Sequence, residues 1–119
     1  LYVHDIRSHS SLEQNWGGGS KASASIRVPV ITLDQAIAQI GKPEYCKIDV
    51  EGWEYEVLKG LTQSIPLLSF EYHLQKRSIE KTLACLDYLS RFGELRINVT
   101  SGKISLFAFQ EWLCLEKFL

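Results

Sequence analysis

Apolar and polar positions follow two different periods along this chain, and the switches between them mark its elements. The opening run, Leu1 to Ile6, alternates with the period of two that suits a short strand. From Ser8 to Ser25 the chain turns polar around Gly17-Gly18-Gly19, which predicts a mobile surface loop. Ile26 to Ile31 is β-branched and apolar. Pro29 lacks the N–H that a central strand needs, so the segment belongs at an edge or in a connection. At Thr32 the period becomes helical. Thr32 is the expected N-cap, Asp34 lies in the first turn, and Leu33, Ala36, Ile37 and Ile40 share one face until Gly41 ends the helix.

Tyr45 to Val50 then reads as a brief strand running into Glu51-Gly52, followed by a second helix, Trp53 to Lys59, with Val57 and Leu58 inward and Gly60 as its terminating C′ residue. Pro66 to His73 is the next strand. A longer helix starts at Ser78, presents Ile79, Leu83, Leu86 and Leu89 on one face, and stops at Phe92-Gly93. Glu94 to Val99 and Lys103 to Phe109 alternate about Thr100-Ser101-Gly102, the pattern of a β-hairpin. The tail, Gln110 to Leu119, suits a closing helix or a last edge. Strands that alternate with helices require crossover connections and a parallel sheet, so the fold class is α/β, with an antiparallel hairpin closing one edge.

Composition narrows this little. With 119 residues, 45% hydrophobic and 23% charged, the chain has the make-up of a globular domain large enough for a core. A formal net charge of −1 offers no footprint for nucleic acid or an anionic membrane, and no apolar run is long enough to cross a bilayer. The chain opens on Leu1, not Met, with no signal-peptide pattern, which fits a chain whose beginning is missing; a cytoplasmic location is expected from cysteines that read as free thiols of a reducing compartment. Cys46, Cys85 and Cys114 have neither metal-ligand spacing nor even number, and read as free thiols. The glycine triplet is not a phosphate loop, because Lys21 is followed by Ala22 and not by a hydroxyl residue.

Candidate chemistry collects at two strand ends. In an open parallel sheet, ligands bind beyond the carboxyl ends of the strands. One strand ends in Asp49 and Glu51, the other in Glu71 and His73. If the two strands are neighbours about 4.8 Å apart, three carboxylates and an imidazole meet in one crevice. That set suits general-base work on a hydroxyl, or oxygen ligation of a hard divalent cation; alternatively the carboxylates cap a helix and His73 hydrogen-bonds at the rim. Gly52 serves either a close approach of backbone to a ligand or relief of crowding. Trp53 and Trp16 either line a pocket or pack; Asp34 is a helix-start charge; His4 and His9 are solvated. Asn98-Val99-Thr100 matches a glycosylation acceptor but lies at the hairpin.

The strings Val30-Ile31-Thr32-Leu33-Asp34, Lys47-Ile48-Asp49-Val50-Glu51-Gly52-Trp53-Glu54, Val57-Leu58-Lys59-Gly60 and Phe70-Glu71-Tyr72-His73 resemble the FkbM methyltransferase family, over roughly residues 26 to 110. The resemblance implies a Rossmann-like class I methyltransferase sheet, of which this chain would be the C-terminal half: a single partial domain with a polar segment at 1–25 and an α/β core at 26–119. It implies S-adenosylmethionine as cofactor, bound by Asp49, Val50 and Gly52. It also implies methyl transfer to a hydroxyl of a saccharide or other small molecule, with Asp49, Glu51, Glu71 and His73 around the reacting groups. The glycine-rich turn and ribose-binding acid of that fold are not among these residues, so an incomplete cofactor site and an unpaired sheet edge are expected. Two alternatives stand beside the enzyme: a non-catalytic α/β remnant that homodimerises through the open edge, and a metal-dependent enzyme built on the Asp/Glu/His cluster.

Overall fold

The computed structural model describes residues 2–3, 24–72, 76–101 and 104–119. Among the described residues, eight short strands and four helices follow in the order β1 (Tyr2–Val3), β2 (Ala24–Ser25), α1 (Leu33–Ile40), β3 (Tyr45–Ile48), α2 (Glu54–Leu58), β4 (Leu67–Phe70), α3 (Lys76–Ser90), β5 (Arg96–Ile97), β6 (Thr100–Ser101), β7 (Ile104–Phe107), β8 (Leu113–Cys114) and α4 (Leu115–Phe118). The chain is α/β. The parallel pairing among the described residues is β3 with β4, joined through α2; β1–β2, β5–β8 and β6–β7 are separate antiparallel pairs.

Several expectations change. The polar loop predicted for Ser8 to Ser25 ends in a strand, because Ala24 and Ser25 pair with Val3 and Tyr2; the glycine triplet, Trp16, His4 and His9 lie outside the described residues. Of the two places open to Ile26 to Ile31, an edge or a connection, the segment takes the connection, with Ile26, Val30 and Ile31 exposed. The closing hairpin differs in register. Thr100-Ser101, expected in the turn, pairs with β7, whereas β5 pairs with β8 from the tail. The tail thus supplies both a strand and a short helix. Alternation identifies strands, but choosing partners among several short ones depends on contacts distant in sequence.

Local chemistry explains α1 well. Thr32 Oγ1 accepts from the Gln35 N–H at 3.1 Å, and Gln35 Oε1 accepts from the Thr32 N–H at 2.9 Å, a reciprocal capping box. Gly41, at φ 90°, closes the helix. Ile40, assigned to the inward face, is 83% exposed because it is the last residue of α1, beyond the reach of the core.

The core lies where α2, α3 and the β3–β4 pair meet. Ile48, Leu58, Leu61 and Cys85 are buried, with Leu33, Ile37, Leu68, Phe70 and Leu89 packed around them. On α3 the buried stripe runs through Cys85 and Leu86, continuing through half-buried Tyr88 and Leu89; Ile79 and Leu83, expected inward, are exposed. The helix also begins before Ser78, which lies inside it. Tyr88 joins this face because its ring packs edge-on against Tyr55 and Phe92 while its hydroxyl donates to the Leu61 carbonyl at 2.9 Å. Burial pushes the Cys85 thiol up to about 12, with the charge of Glu54 adding to it, so this cysteine is held as a neutral packing group.

Two contacts lock α1 to the segment after α2. The Gly60 carbonyl accepts from the Asp34 N–H at 3.0 Å, and the Asp34 carboxylate accepts from both the N–H and the hydroxyl of Thr62, the latter at 2.6 Å. Gly60 follows the Lys59 C-cap of α2, the C′ place expected, but its φ is not positive; a Cβ there would stand 3.0 Å from the Thr32 Cβ. Gly60→Ala should destabilise the protein by about 1–2 kcal/mol through this overpacking, seen as a lower urea midpoint. An unchanged midpoint would mean that Thr32 moves freely.

The Thr62 hydroxyl, and then its N–H, hold the Asp34 carboxyl below its ordinary value. A depressed folded pKa adds stability that is present above the unfolded pKa and lost as pH falls through the folded one. Acid titration of stability should thus show a loss below about pH 4, and Asp34→Asn should flatten it. An identical acid limb in that variant would exclude this role.

Candidate functional site

The parallel register of β3 and β4 builds the site. Tyr45 stands opposite Leu67 and Ile48 opposite Phe70, so the first residues beyond each strand, Asp49 and Glu71, emerge side by side at the same end. The strands are shorter than expected and stop before these acids, which places both on the loops at the carboxyl ends. Glu51 reaches the same place: one carboxylate oxygen from each of Asp49, Glu51 and Glu71 lies within 4.8 Å of the others. His73, assigned to this crevice from sequence, lies outside the described residues. Asp49 and Glu71 are exposed and Glu51 is half-buried.

Lys47 was not anticipated here. Its ammonium contacts Asp49 Oδ2 at 2.7 Å. The Asp49 hydrogen bond, then its charge, with a smaller contribution from Glu71, raises the Lys47 pKa above its ordinary value. The signal was period two, which puts Lys47 and Asp49 on one side of the chain. Both side chains are largely exposed, so the pair contributes little to stability. Its effect is electrostatic: one cation among three carboxylates leaves the cluster net negative and complementary to a positively charged ligand.

Glu51 reaches the cluster through an uncommon backbone. Its φ is 52° and that of Gly52 is 95°, two successive positive values. Such a φ costs a non-glycine residue roughly 1–3 kcal/mol, and persists only where surrounding contacts over-determine it. Two contacts do so. The Gly52 N–H donates to Glu54 Oε1 at 3.1 Å, and Lys81 Nζ on α3 donates to the Gly52 carbonyl at 2.8 Å. Glu54 is 7% exposed, a charge-bearing side chain set into the core's edge.

Val50 is half-buried against the core. Trp53 precedes α2 and, with Gly52, Tyr55, Glu56 and Lys81, lines an open depression of about 230 Å³ beside the turn. Its indole Nε1 is buried with no hydrogen-bond partner among the described residues. The helix after the turn is only five residues long, so its dipole contributes little to holding Asp49 and Glu51. Direct hydrogen bonds hold the turn instead. Lys81, twenty-nine residues from Gly52, left no local sequence signal. No helix among the described residues is long and apolar enough to cross a membrane.

The family model described as the methyltransferase FkbM domain matches residues 2–102, extending further toward the start of the chain than the resemblance read from its motifs. No curated protein and no solved structure matches.

Proposed function

Because this chain belongs to the FkbM methyltransferase family, we propose that its three-carboxylate crevice serves methyl transfer from S-adenosylmethionine to a hydroxyl of a saccharide or other small molecule. The observation that carries the reading is the convergence of Asp49, Glu51 and Glu71 beyond the carboxyl ends of two paired parallel strands, where open α/β sheets bind their ligands. The donor set fits the cofactor: S-adenosylmethionine bears a sulfonium and an ammonium, and the cluster is anionic. Gly52, lacking a Cβ at its positive φ, leaves the turn open to a closely approaching ligand. Asp49, Val50 and Gly52 would hold the cofactor within a Rossmann-like class I arrangement.

When bound, S-adenosylmethionine supplies an electrophilic methyl group. The residues here handle the proton and the orientation. A carboxylate of the cluster, or His73, accepts the proton that leaves the acceptor hydroxyl as its oxygen gains the methyl. Lys47 directs the Asp49 carboxylate through a hydrogen bond. Trp53 and Tyr55 beside the turn offer surface on which the acceptor can be positioned.

Isothermal titration of the chain with S-adenosylmethionine, followed by incubation with saccharide acceptors, tests the reading. One-to-one binding in the micromolar range with methyl transfer to a hydroxyl supports it. A folded sample that binds no cofactor, alone or as a dimer, overturns it for this chain. The cluster's oxygen donors also favour a second reading, a divalent cation; metal-dependent turnover without S-adenosylmethionine would select it.

A further inference from the structure

We infer that Lys81 and Glu54 are positioning residues that clamp the Gly52 peptide from its two sides and thereby hold Glu51 in the carboxylate crevice. Three observations carry this. Glu51 and Gly52 take successive positive φ values, 52° and 95°, and the first falls on a non-glycine residue, for which a positive φ is uncommon. The peptide units around Gly52 are held by groups from two elements: its N–H by Glu54 of α2 at 3.1 Å, and its carbonyl by Lys81 of α3 at 2.8 Å. Glu54 is 7% exposed, an expensive place for a carboxylate that would otherwise be solvated. A turn needed only for chain reversal would be satisfied by water on an exposed loop. Here a buried acid and a lysine from a distant helix both meet one glycine, and the residue just before it carries the third carboxylate of the cluster.

The clamp ties the crevice to helix packing. Lys81 lies one turn before Cys85, which is buried in the core. The placement of α3 is thereby transmitted to Glu51 through one hydrogen bond. The inference rests on the proposed methyl transfer for what Glu51 does, but not for how it is held.

The test therefore has two readouts. Nuclear magnetic resonance of the full chain reports the Glu51 φ through its one-bond Cα–Hα coupling and intraresidue N–H to Hα distance, with no substrate needed. Lys81 is exposed, so Lys81→Met removes the donor without disturbing the core; Lys81→Arg keeps a donor. The positive-φ signature at Glu51 should be lost or averaged in Lys81→Met and in Glu54→Leu, and retained in Lys81→Arg and Glu54→Gln. Methyl transfer by Lys81→Met should fall by up to about 100-fold, with partial rescue by arginine. A signature unchanged in both Lys81→Met and Glu54→Leu overturns the clamp. A lost signature with full methyl transfer overturns the positioning role. If the parent chain transfers no methyl group, the methyl-transfer reading fails, while the φ signature still decides whether Lys81 and Glu54 hold Glu51.

Discussion

Asp49→Ala should lower methyl transfer by a factor on the order of 10²–10⁴, the range typical for loss of a positioned proton acceptor. Asp49 begins the loop after β3, contacts Lys47 at 2.7 Å, and stands beside Glu71 because Ile48 and Phe70 are in register. Alanine removes a carboxylate and also releases Lys47, whose ammonium is then left with Glu71 as its neighbouring carboxylate. Two effects should separate. Binding of S-adenosylmethionine should weaken, since the cluster loses negative charge, and turnover at saturating cofactor should fall further if Asp49 accepts the proton. Asp49→Asn keeps the size and removes the charge, so it should track alanine in turnover. Transfer of labelled methyl at saturating cofactor checks this; unchanged turnover would show that Asp49 neither accepts a proton nor shapes the crevice.

Leu58→Ala should cost about 3 kcal/mol, within the 2–5 kcal/mol range for truncating a buried leucine. Leu58 is fully buried, as is Leu61, and both belong to the cluster that includes Ile48 and Cys85. The segment through Leu61 connects α2 to β4 and is tied to α1 through Gly60 and Thr62 and to α3 through Tyr88. With so many attachments the surroundings have little freedom to collapse into the void, which places the cost above the minimum for such a change. Against a total stability of about 5–15 kcal/mol for a domain, the loss should lower the urea midpoint markedly at an unchanged m-value. A loss below about 1 kcal/mol would mean that the site refills, and that this core is not close-packed.

What could be read in advance follows the range of the interactions concerned. The α1 cap was legible because Thr32, Gln35 and Gly41 act within three or four residues of the groups they satisfy. The order of β3, α2, β4 and α3 was legible for the same reason, and so were the acids that end the strands. Their ends were less so. Strand limits at Ile48 and Phe70 are set by where pairing stops, and this depends on the partner. The inward face of α3 was misjudged because leucine spacing alone pointed to Ile79 and Leu83. Leu86 and Leu89 do face the core as expected, but Cys85 and Tyr88 complete the face in place of Ile79 and Leu83, toward a core whose position no local pattern encodes.

By itself, then, the sequence determined the α/β class, the capped first helix, the motif that runs from Lys47 to Glu54, and with it membership of the family. Tertiary structure alone decided that Glu71 lies opposite Asp49, that Glu51 is turned to meet them, and that Glu54 and Lys81 hold the turn from two helices. It also decided that Gly60 yields space to Thr32 and does not end a helix in the left-handed region. Capping and periodicity are energies of neighbours along the chain. Register, close approach and a strained φ are settled only when segments 20 to 30 residues apart compete for the same space and the same hydrogen bonds.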